Sequence, residues 1–449
     1  MHSNLKGQPA LLHAVRKLEK LNLDQFEVYL QRKNSLKIES KNQQIDSLTR
    51  AEDVGLSIRV IQDKRKGFSF TTSLEKAAIE NAVDSAVEVA QYVQPDEFNE
   101  LFQLSSSVYP EVDSFDAKGV AVPLEQKIAL AKQLETACKS ADKRITGVRS
   151  AALGETLYEV HMLDSGGDLV QYKTTLFTAG ITCKAEEGGD SQMGDEFAFS
   201  NYLDNLQIAQ TGKLAAQWAT ELLGAKPVAT MQCPAVFRNS VVAGLLDFLS
   251  SSFSAENIDK GRSMLAKKQG QRIFSENITI VDDGLLPGGI ATSPFDAEGV
   301  PSAKTVLIEN GFLMNSLYDT YYAKKMGTEP TGNSSRGIKA PPSISTTNIY
   351  LQQGRKNPEQ LLEGLKKSIL ITDLMGIHTA NPVTGDFSLG ASGILIEKGK
   401  PVGPIRGFAV AGNVLDLFLN TSEVGNDLRF FGNVGAPSIL VGKISVSGA

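Results

Sequence analysis

The chain has 449 residues, more than one ordinary hydrophobic core accommodates, so two or three domains are expected. Hydrophobic residues make up 41% of it and charged residues 21%, which is the balance of a soluble globular protein. A formal net charge of -6 and a pI near 5.5 argue against nucleic-acid binding, because a duplex-binding surface needs clustered Lys and Arg.

Helical and then strand-like periodicity opens the chain. Five apolar residues recur at helical spacing and predict a first helix: Leu11, Leu12, Val15, Leu18 and Leu21. Apolar and polar residues then alternate over residues 26–31, 36–38 and 54–60, which is the period of half-buried strands. The basic triplet Lys64–Lys66 fits the tip of a hairpin better than a nucleic-acid contact.

A second helix completes this first unit. Thr72 and Glu75 have the spacing of a capping box, and an Ala- and Val-rich helix is predicted to follow as far as Val93. A helix, antiparallel strands and a helix make an α+β domain, to which we assign residues 1–100. Periodicity fades over residues 94–122, where prolines and short polar residues predict a linker.

A central α+β domain is predicted over residues 115–225. Pro123 suits the first turn of a helix that ends near Ala141. Three strands are expected to follow, with a Ser-Gly-Gly turn between the last two: 144–151, 156–162 and 168–175. The Gly- and Glu-rich residues 186–196 predict an exposed loop. A helix that stops at Gly224, with a proline just beyond it, closes the domain.

The remaining residues, 229–449, are rich in glycine and predict a large β-rich C-terminal domain. One helix is expected near residues 240–252, and Asn357 caps another that runs to about Lys367. Strands are expected towards its end, at 391–397 and 438–446. The predicted fold class is therefore α+β, with N-terminal and central antiparallel sheet and helix domains followed by this β-rich domain.

The cysteines and the apolar segments predict a cytoplasmic protein. Cys138, Cys183 and Cys233 lie far apart without a CxxC spacing, so buried reduced thiols are expected. The residues Met1–Lys6 lack the apolar run of a signal peptide. No apolar stretch reaches the length of a membrane span, so no membrane partner is expected.

Familiar catalytic motifs are missing. The sequence has four histidines, at His2, His13, His161 and His378. Since no two fall within five residues, a helical zinc motif such as HExxH cannot form. His378 is the best lone candidate for chemistry. A GxSxG nucleophile elbow, a phosphate-binding loop and a GxGxxG motif are absent as well.

Polar clusters in the C-terminal half supply the candidate site residues. They are carboxylates at a strand end and in a loop, and two residues of a glycine-flanked polar loop: Asp282, Asp283, Asp296, Glu298, Asn333 and Arg336. Each cluster taken singly fits ordinary turn chemistry. Their density predicts a functional groove.

Taken in order, such segments resemble the TldD/PmbA family, once labelled modulators of DNA gyrase. The phrases that carry the resemblance are spread over nearly the whole chain: Val54–Val60, Ile280–Asp283, Pro294–Gly299, Thr331–Asn333, Thr384–Ser388, Ile396–Gly399 and Ala411–Asn413. One such phrase alone is weak evidence, but their shared order over this length is specific. The resemblance implies the same three-domain architecture.

The resemblance also implies a role. It implies two branches that pair as a heterodimeric metallopeptidase acting on peptides and unfolded segments, with an HExxxH zinc motif on a helix of the TldD branch. The matching helix here puts Leu246 and Ser251 at the histidine positions, and neither side chain binds zinc. The chain therefore resembles the PmbA (TldE) branch. No cofactor is expected in this chain, and zinc is expected in a TldD-type catalytic partner.

Two alternatives stay open. Clustered carboxylates suit hard cations, so the chain could be a metal-dependent hydrolase with Asp282, Asp283, Asp296 and Glu298 as ligands. It could also be a homodimeric binding or scaffold protein without a peptidase role, since large β-rich domains often associate through apolar patches. A homodimer of the isolated chain is also compatible with the PmbA (TldE) hypothesis.

Overall fold

A computed structural model describes residues 9–105 and 108–448 of the chain. The prediction that concerns His2 lies outside the described residues. Helices and strands are mixed along the chain, and strands predominate from Met231 onward, so the predicted α+β class with a β-rich C-terminal domain is confirmed. No helix of the described ranges combines the length and the apolarity needed to cross a membrane.

The helices are α1 (Pro9–Leu18), α2 (Lys76–Tyr92), α3 (Ala117–Ala121), α4 (Leu124–Ala141), α5 (Ile208–Glu221), α6 (Asn239–Ser250), α7 (Ala255–Asp259), α8 (Thr320–Met326), α9 (Pro358–Leu362) and α10 (Val414–Leu419). Short 3-10 turns lie at Leu203–Asn205, Ser251–Phe253 and Ile377–Thr379. The strands of the first half are β1 (Gln25–Lys41), β2 (Gln44–Gln62), β3 (Arg65–Thr71), β4 (Ile145–Asp164), β5 (Leu169–Glu187) and β6 (Asp190–Ser200).

The strands of the second half are β7 (Met231–Phe237), β8 (Ile280–Asp283), β9 (Lys304–Glu309), β10 (Phe312–Leu313), β11 (Ser334–Ser335), β12 (Ser343–Ile344), β13 (Ile349–Leu351), β14 (Lys367–Met375), β15 (Asp386–Glu397), β16 (Lys400–Asn413), β17 (Thr421–Val424), β18 (Arg429–Phe431), β19 (Val434–Ala436) and β20 (Ile439–Ser447).

One six-stranded antiparallel sheet runs through the first half of the chain, in the order β3-β2-β1-β4-β5-β6. Strand β1 joins its two halves, because it pairs with β2 on one side and with β4 on the other. The segments predicted as N-terminal and central domains therefore share one sheet. Helices α1 and α2 pack on one half and α4 and α5 on the other, and each pair covers its own hydrophobic core.

Strand β1 shows how the sheet is oriented. Val28 and Ile38 lie on its helix-covered face, and Glu27 and Tyr29 alternate with them towards the other face. The sequence predicts two strands here, but the polar residues 32–35 between them pair with both neighbouring strands. The ladder is continuous because its hydrogen bonds come from the backbone and tolerate polar side chains.

One loop prediction in the first half is wrong. Residues 186–196 form a hairpin of β5 and β6, because only Gly188 and Gly189, at φ of 58° and 85°, make the turn. The predicted linker has no helix or strand in its described part before Ala117, but it is packed against the fold, since Leu101 and Leu104 are buried. By contrast, the hairpin tip predicted at Lys64 is confirmed, and the helix predicted after Pro123 spans residues 124–141.

Two helix-boundary predictions also differ from the structure. Glu75 is itself the N-cap residue of α2 and makes no side-chain cap, so the predicted capping box with Thr72 does not form. The cap at Asn357 does form, as a capping box with Gln360, but α9 ends at Leu362. Gly364 follows with a φ of 76°, which ends the helix, and β14 begins at Lys367.

From Met231 onward the chain folds around one large core. Two six-stranded sheets have the orders β16-β15-β14-β7-β20-β17 and β10-β9-β8-β13-β19-β18. Helix α6 contacts strands of both sheets, including β14 and β19. Phe237, Leu246 and Phe253 are fully buried in this core. The three cysteines are buried and without disulfides, as predicted.

The open face of the first sheet rests on loops of the C-terminal region. A separate small core forms there from both parts: Tyr29, Leu104, Val160, Met162, Val170 and Phe295. The rings of Tyr109 and Tyr172 lie 5.0 and 5.1 Å from the Phe295 ring. The Tyr109 hydroxyl donates to the Gly299 carbonyl over 2.7 Å. These contacts fix the 294–301 loop against the sheet.

Candidate functional site

A cleft of about 270 Å³ opens where the first sheet meets those loops. The sheet contributes aromatic and polar side chains from β1, β4 and β5: Tyr29, Gln31, Tyr158, Tyr172 and Thr174. The loops contribute several hydroxyl-bearing side chains and two of the predicted site residues: Ser293, Asp296, Ser334, Arg336 and Thr347. A concave surface with an apolar body and a few polar groups is the usual form of a ligand site.

Four buried charged residues link the two sides of the cleft, and we call them the charge network: Glu27, Arg59, Glu298 and Arg336. Arg59 donates through Nη1 to Glu298 over 2.8 Å and through Nε to Glu27 over 3.3 Å, with Nη2 also on Glu27. Arg336 donates through Nη2 to Glu27 over 2.5 Å. All four side chains are at most 6% exposed. The network joins the sheet to the 294–301 loop through Glu298 and to a second C-terminal loop through Arg336.

The register of the first hairpin builds the sheet side of this network. Glu27 on β1 and Arg59 on β2 are directly opposite cross-strand partners, so their side chains emerge on the same face. Burial acts to raise the pKa of Glu27, but the Arg336 and Arg59 guanidinium groups outweigh it and lower that pKa. The pKa of Arg59 is raised, because its two carboxylate partners outweigh the effect of burial.

The 294–301 loop holds Asp296 without a cation. Its carboxylate accepts backbone N–H bonds from Glu298, Val300 and Ser334 at 2.8, 3.0 and 2.9 Å. Burial, and secondly the nearby Glu298 charge, raise the pKa of Asp296 to about 8. Gly299 has a φ of 84°, and an added Cβ would lie 2.1 Å from Leu104. A side chain at position 299 would therefore strain the backbone and displace Leu104.

Asp282 in β8 and Asn333, just before β11, are in direct contact. The Asn333 amide donates to Asp282 over 3.1 Å, and the Thr347 hydroxyl donates to it over 2.6 Å. Burial raises the pKa of Asp282 to about 6, against the effect of these donors. Asp283 is not part of this group, since its carboxylate accepts the Leu285 backbone N–H and lies 4.0 Å from Lys304.

The predicted carboxylates do not form a cation site. Asp282 and Asp296 are held by hydroxyl, amide and backbone donors, and Glu298 by Arg59 and the Thr320 N–H. Within residues 9–105 and 108–448, no three His, Cys, Asp or Glu side chains come together as metal ligands would. The hypothesis of a carboxylate-liganded metal hydrolase is therefore not favoured.

Helix α6 does not offer zinc a ligand pair either. Leu246 is fully buried in the core, whereas Ser251, in the 3-10 turn after the helix, is exposed, so the two side chains do not face one point. Residues 239–253 contain no histidine or cysteine, and Asp247 is their one carboxylate. The side chains on this helix do not fit a zinc site, which needs several His, Cys or carboxylate ligands.

The histidines of the described chain lie on separate elements. His13 on α1 lies 2.8 Å from Glu80, and His161 on β4 lies 3.2 Å from Glu159. His378, the lone candidate named from the sequence, is exposed in the Ile377–Thr379 turn. None of these places gathers the three ligands of a zinc site.

Several residues of the cleft were missed by sequence reasoning. Glu27 and Tyr29 fit an outward, solvent-facing row of a strand, and Arg59 breaks the apolar run of β2. The hairpin gave only a partial signal. Its tight turn at Asn42 and Gln43 alone would place Glu27 opposite Ile58, and a register shift between Glu39 and Ser40 moves the partner of Glu27 to Arg59.

Family models match three consecutive parts of the chain. The model described as PmbA/TldA metallopeptidase domain 1 matches residues 26–90, and the central-domain model matches residues 118–223. The C-terminal-domain model matches residues 230–448. Together these matches cover most of the sequence.

Individual proteins similar to this chain over nearly its whole length carry PmbA and TldE names. The chain is 28% identical over 429 residues to metalloprotease PmbA of Escherichia coli O157:H7, covering 95% of this chain and 92% of that protein. It is 27% identical over 430 residues to the PmbA homolog of Haemophilus influenzae, covering 94% and 92%. The crystal structure of TldE from Thermococcus kodakarensis superposes with a TM-score of 0.89 at 27% identity, covering 98% of this chain and 100% of that one.

Proposed function

This chain belongs to the PmbA/TldD family, and we propose that it is the PmbA/TldE-type subunit of a two-subunit zinc peptidase. In this proposal the metal lies in a TldD-type partner, where it would polarise the scissile carbonyl and acidify a bound water. The observation that carries the proposal is full-length family membership combined with an α6 helix that has no histidine or cysteine.

The proposed task of this chain is to position peptide or unfolded-protein substrates for the partner. The cleft suits that task because tyrosine rings line its sheet side and hydroxyl groups line its loop side. Its walls are pre-organised by the charge network, which fixes Asp296–Gly299 and Thr331–Arg336 against the sheet. These two loops are the segments that we propose shape the substrate channel.

The proposal excludes nucleic acid and membranes as partners and places the protein in the cytoplasm. The acidic net charge supports the first point, and the buried, unpaired cysteines are consistent with a reducing compartment. A homodimer formed in isolation remains compatible with the proposal. It would then exchange for the heterodimer when the partner is present.

The test is reconstitution with a TldD-type protein from the same genome. We expect the two chains to co-purify and to cleave an unfolded test protein together, with activity lost on zinc chelation and restored by added zinc. Each chain alone serves as the control. Zinc-dependent cleavage by this chain alone would overturn the proposal, as would a stable homodimer that ignores the partner and leaves the partner's activity unchanged.

A further inference from the structure

The guanidinium group of Arg336 is buried but incompletely paired. Its side chain is 0% exposed, and Nη2 donates to Glu27 over 2.5 Å. Nε and Nη1 have no hydrogen-bond acceptor among the residues that the structure describes. A buried unsatisfied donor lowers stability, so its retention in a folded protein is explained when a ligand supplies the acceptor.

The two carboxylates of the charge network equal its two guanidinium groups in number, but they are unevenly shared. Glu27 serves two guanidinium groups at once, and Arg59 has Glu298 as a second carboxylate. Burial lowers the pKa of Arg336, and Glu27 offsets only part of that effect, whereas the pKa of Arg59 is raised. The other acid lining the cleft, Asp296, is occupied by the backbone N–H groups of Glu298, Val300 and Ser334 and makes no ion pair with Arg336 in the described chain. Arg336 therefore has as its counter-charge only the Glu27 carboxylate, which it shares with Arg59.

The surroundings of Arg336 indicate which anion fits. The Tyr29 ring lies under the guanidinium, with its centroid 3.9 Å from Cζ. Ser334 lines the same cleft, and its buried Oγ has no hydrogen-bond partner in the described chain. A carboxylate accepts bonds from both groups and brings one charge. A phosphate brings a second charge close to Glu27 and Glu298, which disfavours it.

We propose that Arg336 and Ser334 form a carboxylate subsite in the cleft, which binds either the C-terminal carboxylate of a peptide or the side chain of an Asp or Glu residue within it. That the ligand is a peptide rests on the proposed function. The subsite itself rests on the unpaired donors. With this subsite the chain would recognise acidic groups of the substrate, in addition to lining the substrate channel.

Calorimetric titration of the isolated chain tests the subsite. The probes are N-acetyl-Ala-Phe with a free carboxylate, the same dipeptide as its amide, and N-acetyl-Glu-Phe amide. We expect the free acid or the Glu-containing amide to bind at least tenfold more tightly than N-acetyl-Ala-Phe amide, and the one that does identifies the source of the carboxylate. Equal binding of all three probes would overturn the proposal, as would inorganic phosphate that displaces them with equal affinity.

Variants assign the effect to named side chains. Arg336→Gln should weaken binding of the carboxylate probe at least tenfold, and Ser334→Ala roughly threefold. Arg406→Gln, an exposed arginine outside the cleft, is the matched control and should bind like the parent chain. Circular dichroism checks folding. If Arg336→Gln does not fold, Ser334→Ala decides alone, because its hydroxyl makes no hydrogen bond in the described chain.

The two proposals fail separately. A chain that activates a TldD-type partner but binds the acid and amide probes equally would overturn the subsite and leave the proposed function standing. A chain that binds the carboxylate through Arg336 but associates with no partner would overturn the proposed function and leave the subsite standing.

Discussion

Replacing Arg59 with methionine removes the cation that two buried carboxylates share. Glu27 keeps Arg336 as a partner, but among the described residues Glu298 keeps only the Thr320 backbone N–H at 2.8 Å. Removing one partner of a buried ion pair costs about 3–5 kcal/mol, because it leaves an uncompensated charge in the interior. We therefore expect Arg59→Met to weaken the contact between the first sheet and the 294–301 loop by about that amount.

Amide hydrogen exchange measures this loss locally, which is appropriate because a chain with several cores need not unfold as one unit. A loss of about 3–5 kcal/mol corresponds to exchange that is faster by roughly 10² to 4 × 10³-fold for protected amides in β1, β2 and the 294–301 loop.

The matched control is Arg144→Met. Arg144 pairs with Asp142 and Glu187 at the surface, where its side chain is 31% exposed. Surface pairs contribute about 0–1 kcal/mol, so this variant should change exchange little. If Arg59→Met and Arg144→Met exchange at the same rates in β1 and β2, the charge network does not stabilise the interface and the reasoning is refuted.

Three further predictions concern pH, backbone shape and metal. The pKa of Asp282 is raised to about 6 in the folded chain, against about 3.9 in the unfolded chain. Between these two pH values the Asp282 carboxyl is protonated in the folded chain but ionised in the unfolded chain. The stability that this proton contributes therefore falls as the pH rises from about 4 to 6. Asp282→Asn should remove about 3 kcal/mol of that pH dependence in thermal melts, and an unchanged pH profile would contradict the assignment. Gly299→Ala should destabilise the chain by about 1–3 kcal/mol, since it strains a positive φ and places a Cβ 2.1 Å from Leu104. Gly337→Ala, with nothing within 4 Å of its added Cβ, is the control, and equal melting temperatures would show that the loop adapts. Chelation by EDTA should leave the melting temperature of the isolated chain unchanged, because the described residues gather no metal-ligand group; a drop reversed by zinc would contradict this.

Local patterns in the sequence predicted much of the secondary structure. The helix at residues 124–141 and the hairpin tip at Lys64 follow from proline and turn chemistry within a few residues. The joined sheet did not follow, because the pairing of β1 with β4 connects residues more than a hundred positions apart. No periodicity within either segment encodes that contact.

The prediction of the candidate site was incomplete for the same reason. Asp282, Asp296, Glu298, Asn333 and Arg336 were recognised as dense polar clusters, and the structure places them at or beside the cleft. Their partners on the sheet, Glu27 among them, fitted a solvent-facing row, because alternation shows that a strand has two faces but not what covers the second one.

The most direct test of the proposed role is native mass spectrometry of this chain alone, of a TldD-type partner alone, and of the two mixed with zinc. The account predicts a complex containing both chains, with zinc present in the partner and in the complex but not in this chain by itself. Stoichiometric zinc on this chain alone, or failure of the two chains to associate, would contradict it.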